Sequence, residues 1–266
     1  MKRVVIFSFF FLWMHVAVTA TGQHIQYGNN QAAGHYIPVN GIKLYYEEYG
    51  KGIPLLMLHG NGGDISAFKG QIPFFSKHFR VIAIDSRLQG KSGGSSDTLS
   101  YNMMAEDFCA FVNTLKLDSV YVLGWSDGGI NAILMALKCS TKVKKIAFTG
   151  ANTLPDSTAI SAADIQSMKD FVENNKTATA REKTLTRMMI NEPVIPFSTL
   201  GTISCPALVM AGDHDIIKAE HTLKIYQSIP GAKLCIFPDS NHGVCQQHPA
   251  LFNKIVFEFF MNINAR

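Results

Sequence analysis

The pentapeptide Gly124-Trp125-Ser126-Asp127-Gly128 constrains the fold of this chain more than any other segment. It has the form G-x-S-x-G, it follows a β-branched and apolar run at 119–123, and it precedes an apolar run typical of a helix at 130–137. Strand, glycine-bounded serine and helix in this order are typical of a nucleophile elbow, whose tight turn requires small flanking residues. Such a turn places the serine hydroxyl at a helix N-terminus, where backbone N–H groups favour negative charge. The pentapeptide alone also fits a serine in an ordinary glycine-rich turn.

Strand and helix patterns alternate along most of the chain, which predicts an α/β fold. A hairpin turn at Asn40-Gly41 separates strands at 35–39 and 42–49, and helices are expected at 64–77, 101–115, 219–228 and 249–261 and after Ser126. Further strands are predicted at 54–58, 81–84, 119–123, 143–148, 207–211 and 233–237. Alternation of this kind implies parallel strands joined by right-handed crossovers. We therefore predict one domain over 35–266, with a mostly parallel eight-stranded sheet and helices on both faces.

The alternation is interrupted between about residues 152 and 204. This stretch contains helical patterns at 162–174 and 180–190 and then two prolines, Pro193 and Pro196. A helical segment inserted between two strands of a parallel sheet predicts a short cap of roughly fifty residues.

The first twenty residues have the pattern of a signal peptide. Lys2 and Arg3 are followed by an almost wholly apolar stretch at 4–18, and small residues precede the bond after Ala20. We predict cleavage there and export to the periplasm or the medium. An uncleaved membrane anchor is the alternative, for which the apolar run is somewhat short. Residues 21–34, rich in Gly, Asn and Gln, are expected to form a loose polar leader.

Composition excludes several kinds of partner and cofactor. The chain carries a formal charge of +4, and loss of Lys2 and Arg3 leaves +2, too little to predict nucleic-acid binding. No later segment is long and apolar enough to predict a membrane span. The five cysteines are widely spaced without a C-x-x-C pair, so a zinc site is not expected, although Cys235 and Cys245 could form a disulfide in an exported protein. No metal or other cofactor is expected.

A serine nucleophile requires a base to remove its proton and an anion to orient that base. His242 is the best candidate base, because it lies in the loop directly after the strand predicted at 233–237. His59, His214 and His221 also lie near strand ends or helices and are its competitors. Asp215 follows the strand at 207–211 and is the candidate acid, with Asp213 as an alternative. Parallel sheets place their sites at the carboxyl ends of the strands, where both loops begin.

The loop at residues 58–63 is the candidate source of donors for a developing oxyanion. Its three glycines allow the backbone to approach a ligand closely. We assign one donor to the backbone N–H of Asn61 and a second to the N–H of Asp127. A phosphate-binding loop is the alternative, but the chain has neither G-x-x-x-x-G-K-[ST] nor G-x-G-x-x-G.

These motifs together resemble the α/β-hydrolase superfamily over nearly all of the chain that follows the signal. The segment at 85–92 is similar to the D-x-R-G-x-G-x-S loop of that superfamily, with Leu88 in place of a glycine. The resemblance implies the chain order Ser126, Asp215, His242 for the catalytic residues. It also favours Asp215 over Asp213, because the superfamily carries its acid at the last position of G-x-x-D.

The elbow at 124–129 is similar to that of the biphenyl hydrolase-like esterases, the valacyclovir hydrolase group. This resemblance implies cleavage of esters of small amino acids, with Asp127 facing the substrate amine. A carboxylate at a helix N-terminus is also stabilised by the helix dipole without any ligand. Residues of these types are more often plain core, but the candidates for an apolar acyl pocket under the cap are Trp125, Met188, Met189 and Phe197.

The expected activity is hydrolysis of a small carboxylic ester through an acyl-enzyme intermediate. Hydrolysis of a lactone, a peptide or a carbon–carbon bond by the same serine is the alternative chemistry. A binding module that keeps the fold without the reaction is the non-enzymatic alternative.

Overall fold

A computed structural model describes residues 25–95 and 99–263 of the chain. The predicted signal peptide and the first four residues of the predicted leader lie outside the described residues. Within the described ranges, no helix has the length and apolarity needed to cross a membrane.

Eight strands form one sheet in the order β1-β2-β4-β3-β5-β6-β7-β8. The strands are β1 (Gly34–Val39), β2 (Ile42–Tyr49), β3 (Pro54–Leu58), β4 (Arg80–Ile84), β5 (Val120–Trp125), β6 (Val143–Thr149), β7 (Ala207–Gly212) and β8 (Lys233–Phe237). The β1–β2 and β2–β4 pairs are antiparallel, and every pair from β4 to β8 is parallel. The predicted mostly parallel eight-stranded sheet is therefore confirmed.

Helices cover both faces of this sheet. They are α1 (Ile72–Phe75), α2 (Tyr101–Thr114), α3 (Asp127–Lys138), α4 (Ala162–Asn174), α5 (Ala180–Asn191), α6 (Phe197–Leu200), α7 (Ala219–Ser228), α8 (Val244–Gln247) and α9 (Pro249–Phe260). Side chains that alternate along the central strands enter two different cores. Leu56 belongs to the core that includes side chains of α2, α3 and α7, whereas Leu55 belongs to the core that includes side chains of α1 and α9. Because both faces of the central strands are buried, these strands are almost continuously apolar in sequence.

The helix predicted at 64–77 is instead two short pieces, a 3₁₀ turn (Ile65–Phe68) and α1. Asp64 does cap the first piece, since its carboxylate accepts a hydrogen bond of 2.7 Å from the Ser66 N–H. Pro73 lies in the first turn of α1, where a proline is tolerated because that N–H needs no helical partner.

The described part of the predicted leader is held against the sheet rather than loose. The side chain of Glu47 is fully buried, and its two oxygens accept hydrogen bonds of 2.8 Å from the backbone N–H groups of Gly28 and Asn30. The hydroxyls of Tyr45 and Tyr49 donate to the same carboxylate, also at 2.8 Å. A buried carboxylate requires such donors, and two of the four are supplied by the leader.

The disulfide in the structure joins Cys109 in α2 to Cys139 at the C-terminal end of α3, with a Cα–Cα distance of 6.1 Å. The suggested pairing of Cys235 with Cys245 is wrong, since both are free thiols. Packing of α2 against α3 brings together two cysteines that are 30 residues apart in the sequence.

Between β6 and β7 the chain forms α4, α5 and α6, all inside the stretch predicted as a cap. α5 begins with a capping box in which Thr179 and Glu182 satisfy each other's backbone N–H groups. No residue of α4 is fully buried, and this helix packs through the partly buried Ile165 and Met168 against Ala159, Ile160 and Ile217.

Candidate active site

Ser126 occupies a strained turn between β5 and α3. Its backbone has φ 56° and ψ −119°, outside the conformations that a serine ordinarily adopts. A Cβ at Gly124 would overlap the carbonyl group of Gly128, and a Cβ at Gly128 would overlap that of Leu58. The turn therefore requires glycine at both positions, which is the feature that the sequence pattern predicts.

The Ser126 hydroxyl is the first member of a hydrogen-bonded chain of three side chains. His242 Nε2 lies 2.9 Å from Ser126 Oγ, and His242 Nδ1 lies 2.7 Å from Asp215 Oδ1. The Asp215 side chain is 1% exposed and that of His242 is 19% exposed. The three predicted residues are thus adjacent, at the carboxyl ends of β5, β7 and β8, in the geometry of a nucleophile, a base and an orienting acid.

The competing residues have other contacts. Asp213 is exposed, and its carboxylate accepts hydrogen bonds from the N–H groups of Ser240 and Asp239, which lower its pKa. His59 Nε2 accepts a bond of 3.0 Å from the Ser86 N–H, and His221 Nε2 accepts one of 3.0 Å from the Thr153 N–H. Burial lowers the pKa of His59 and lowers that of His221 to about 4, so both are neutral structural groups.

The loop after β3 passes directly beside the nucleophile. A Cβ placed on Gly60 would lie 3.1 Å from Ser126 Cβ and 3.3 Å from the Trp125 ring. His59 Nδ1 lies 2.7 Å from the Gly60 carbonyl oxygen and holds the Gly60–Asn61 peptide, while the Gly62 N–H donates to Gln89 Oε1 at 2.7 Å. This places the backbone of Asn61, like that of Asp127, next to Ser126.

Asp127 is 2% exposed although it carries a carboxylate. Its Oδ1 accepts a hydrogen bond of 2.7 Å from the Tyr101 hydroxyl, and its Oδ2 accepts one of 2.9 Å from Asn61 Nδ2. Burial raises the pKa of Asp127 to about 6, against the lowering effect of these two hydrogen bonds. Asp127 is therefore a carboxylate that is easily protonated and has no cationic side chain beside it among these contacts.

A cavity of about 290 Å³ opens over the nucleophile between the sheet and the cap. It is lined by Tyr101, Ser126, Asp127, Asn152, Ile160, Asp164, Ser167, Met168, Met189, Glu192, Ile216, Ile217 and His242. The body of the protein thus supplies the reacting groups, and the cap supplies much of the apolar wall.

Of the predicted pocket residues, Asp127 and Met189 line this cavity, whereas Trp125, Met188 and Phe197 do not. The indole N–H of Trp125 donates to the His242 carbonyl oxygen at 2.8 Å. Met188 is buried in the core beside α2 and α3, and Phe197 packs edge-on against the His221 ring. Met188 and Phe197 are therefore packing residues outside the cavity, a distinction from Met189 that residue type does not reveal.

Tyr101, Asp164 and Glu192 line the cavity but carry no sequence motif. Glu192 Oε2 accepts a hydrogen bond of 2.9 Å from the Tyr101 N–H, which joins the end of α5 to the start of α2. The one available signal is the position of Glu192 two residues beyond the cap helix predicted at 180–190.

Asp213, His214 and Asp239 are the described side chains whose grouping could hold a metal ion, with ligand atoms within 4.8 Å of one another. All three are exposed, and the hydrogen bonds of Asp213 join the loops that carry Asp215 and His242. Loop positioning accounts for these contacts.

The elbow, the sheet order and the hydrogen-bonded side chains define a class: α/β proteins with a serine nucleophile presented at a strand-to-helix turn. The family model of the α/β hydrolase fold matches residues 53–194. The chain belongs to this family and is a hydrolase of the serine type within it.

Named relatives cover most of the chain. Serine hydrolase BPHL from Homo sapiens is 26% identical over 84% of this chain and 84% of its own length. A 2-hydroxy-6-oxo-6-phenylhexa-2,4-dienoate hydrolase from Burkholderia cepacia is 22% identical over 84% of this chain and 93% of its own length. The resemblance to the biphenyl hydrolase-like group is thereby confirmed.

Solved structures agree in fold. An enol-lactonase from Burkholderia xenovorans superimposes with a TM-score of 0.71 at 21% identity, covering 85% of this chain and all of that chain. A thermophilic esterase from Thermogutta terrifontis gives a TM-score of 0.74 at 21% identity, covering 86% of this chain and 98% of that chain. At these identities the likeness establishes the fold alone.

Proposed function

We propose that this protein hydrolyses a small carboxylic ester through an acyl-enzyme intermediate on Ser126. The observation that carries the proposal is the continuous chain of contacts from Ser126 Oγ through His242 to Asp215. His242 Nε2 removes the hydroxyl proton as Ser126 attacks the carbonyl carbon, and then gives that proton to the leaving alcohol. It next takes a proton from water as the water attacks the acyl group, and returns that proton to Ser126.

Three further groups stabilise the tetrahedral intermediates. Asp215 holds the His242 tautomer and stabilises the imidazolium, and the backbone N–H groups of Asn61 and Asp127 donate to the oxyanion. One such donor contributes about 3 to 4 kcal/mol to transition-state stabilisation. No step requires a metal or a cofactor.

We assign the substrate amine to Asp127, which makes an aminoacyl ester the preferred substrate. Two observations support the assignment: its buried carboxylate lines the cavity beside the nucleophile, and the chain is 26% identical to serine hydrolase BPHL. The same serine chemistry applied to a cyclic ester is the second candidate, because an enol-lactonase shares the fold.

Ser126→Ala tests the mechanism. We expect kcat to fall by about a millionfold, the scale of triad removal, and labelling by a fluorophosphonate probe to disappear. Ser167→Ala is the matched control and should still be labelled, since Ser167 lines the same cavity but the hydroxyl beside His242 Nε2 is that of Ser126. Unchanged turnover in the Ser126 variant would refute the mechanism, and a wild-type protein that is not labelled would indicate a binding module.

Asp127→Asn tests the amine assignment, measured as kcat/KM for an aminoacyl ester and for the neutral ester of the same length. Loss confined to the aminoacyl ester is expected. An equal loss with both substrates would show that Asp127 does not bind the amine.

We further propose that the protein is exported and that its signal peptide is removed after Ala20. The basic and apolar pattern at 2–18 supports this, as does a disulfide between Cys109 and Cys139, which is stable in oxidising compartments. Mass spectrometry of the extracytoplasmic fraction tests it, because a protein of full-length mass there would contradict cleavage.

A further inference from the structure

The cavity over Ser126 carries more negative charge than ester hydrolysis requires. Its lining includes three carboxylates and, among the described residues, no lysine or arginine. Asp127 lies beside the nucleophile, whereas Asp164 in α4 and Glu192 at the C-terminal end of α5 belong to the cap. The second and third carboxylates are therefore supplied by the cap and not by the elements that carry Ser126 and His242.

Among the described residues, these three carboxylates accept hydrogen bonds from neutral groups. Glu192 Oε2 accepts from the Tyr101 N–H, and Asp164 Oδ2 accepts from the Ser161 hydroxyl at 2.6 Å. None of the ion pairs found in the part of the chain that the structure describes includes Asp127, Asp164 or Glu192. The negative charge of the cavity is thus left for a ligand to neutralise.

Tyr101 lies between the carboxylates of Asp127 and Glu192 and sets their spacing. Its phenolic hydroxyl donates to Asp127 and its backbone N–H donates to Glu192, so the two carboxylates lie at opposite ends of one tyrosine residue. The backbone nitrogen and the phenolic oxygen of one tyrosine are about as far apart as the α- and ε-nitrogens of an extended lysine, so two ammonium groups with that separation suit the two carboxylates. The wall of the same cavity is apolar, formed by Ile160, Met168, Met189, Ile216 and Ile217.

An apolar wall with a carboxylate at either end matches an alkyl chain that carries an ammonium group at either end. We propose that the preferred acyl group is that of a diamino acid of the lysine type. Asp127 takes the α-amine, and Glu192 takes the side-chain ammonium, with Asp164 adding negative charge at the exposed edge of the cavity. This inference rests on the proposed function and names the acyl group that the same site selects.

Three ethyl esters with the same six-carbon acyl chain separate the contributions of the α-amine and the side-chain ammonium to kcat/KM. The lysine ester carries both amines, the norleucine ester lacks the side-chain ammonium, and the hexanoate ester lacks both. We expect kcat/KM for the lysine ester to exceed that for the norleucine ester by about tenfold at low ionic strength, because a carboxylate left without its charged partner is penalised. Added salt should reduce this ratio, most strongly through the exposed Asp164.

Isosteric variants assign the preference to residues. Glu192→Gln keeps an oxygen that can accept from the Tyr101 N–H and removes the charge, so the lysine-to-norleucine ratio of kcat/KM should fall to about one. Asp164→Asn should lower the ratio by about two- to threefold, as expected for an exposed charge. Glu173→Gln, an exposed change in α4 outside the cavity, is the charge-matched control and should leave the ratio unchanged.

The outcomes distinguish this inference from the proposed function. If wild-type enzyme hydrolyses the norleucine ester at least as well as the lysine ester, the second ammonium site is refuted and the esterase mechanism stands. A preference for lysine that survives Glu192→Gln and Asp164→Asn together would also refute it. If none of the three esters is hydrolysed by enzyme that reacts with the fluorophosphonate probe, the proposed ester substrate itself is wrong.

Discussion

The indole N–H of Trp125 donates a hydrogen bond of 2.8 Å to the backbone carbonyl oxygen of His242. Trp125 immediately precedes Ser126 in the sequence, so the residue next to the nucleophile holds the loop that carries the base. The sequence predicted Trp125 as part of an acyl pocket, and the structure shows this bond instead. The bond fixes the approach of the imidazole to the hydroxyl.

Trp125→Phe should lower kcat by about fivefold while leaving KM nearly unchanged. The ring is retained but the N–H is lost, and a hydrogen bond of this kind contributes about 1 kcal/mol. Steady-state kinetics and an active-site titration check this, the titration confirming that the fraction of folded enzyme is unchanged. A change confined to KM would indicate that Trp125 contacts the substrate.

Asp215→Asn should lower kcat by about 10⁴-fold, because an amide no longer fixes the His242 tautomer or stabilises the imidazolium. Asp213→Asn is the matched control two residues away, where the exposed carboxylate accepts hydrogen bonds from the N–H groups of Asp239 and Ser240. It should lower kcat far less. Comparable losses in the two variants, measured as kcat with one ester, would show that Asp215 is not the orienting acid.

Asp127→Asn should change how stability depends on pH. The pKa of Asp127 is raised by burial to about 6, whereas an unfolded aspartate titrates near about 3.9. Between these two pH values the folded state binds more protons than the unfolded state. The stability contributed by Asp127 therefore falls as pH rises.

Between pH 4 and pH 8, the free energy of unfolding of the variant should gain about 2 to 3 kcal/mol relative to wild type. Burial also raises the pKa of Asp85 to about 6, and this second group is present in both proteins, so only their difference reports on Asp127. Urea denaturation across this range measures it. A difference that does not vary with pH would contradict the raised pKa.

Gly60→Ala should reduce kcat by up to about a hundredfold, the scale of losing one oxyanion donor. Its Cβ would press on Ser126 and Trp125 at 3.1 and 3.3 Å and would move the Asn61 backbone. Gly93→Ala is the control, because a Cβ there meets its nearest neighbour at an ordinary 3.6 Å. Esterase assays beside thermal melts separate a lost donor from a lost fold, and full activity in Gly60→Ala would exclude this loop as the oxyanion site.

Replacing both Cys109 and Cys139 by serine should destabilise the protein by about 3 to 4 kcal/mol, the chain-entropy value for a loop closed over 30 residues. The control pair, Cys235→Ser with Cys245→Ala, removes two free thiols and should leave the effect of a reducing agent on stability unchanged. Denaturation with and without dithiothreitol measures both. A wild-type protein that is insensitive to the reductant would contradict the bond.

Much of the fold follows from local pattern. The apolar strands and the helical spacing of α2 depend on local backbone geometry, and α2 begins at Tyr101 as predicted. The requirement for glycine at Gly124 and Gly128 likewise follows from the tight backbone turn at Ser126. The helix expected at 64–77 was wrong because Pro73 and the packing of two short pieces on the sheet outweigh local helical spacing.

Some residues of the candidate site were predictable from the sequence, and others were not. The proximity of Ser126, Asp215 and His242 was predictable because each lies in a turn or loop that follows a strand, and parallel strands end at one edge of the sheet. Which face of α5 reaches the cavity was not predictable: Met189 lines it while its neighbour Met188 is core. Glu192 lines the cavity where the end of α5 meets the start of α2, and its carboxylate accepts the Tyr101 N–H there.

The sequence by itself determined the succession of strands and helices along the chain, the elbow at Ser126, and the placement of Ser126, Asp215 and His242 at one edge of the sheet. These features follow from backbone sterics and strand direction. Only the tertiary structure decided the disulfide, the fixing of His242 by Trp125 and the three carboxylates of the cavity. These depend on how helices distant in the chain pack together, and side-chain contacts across such a distance leave no local pattern.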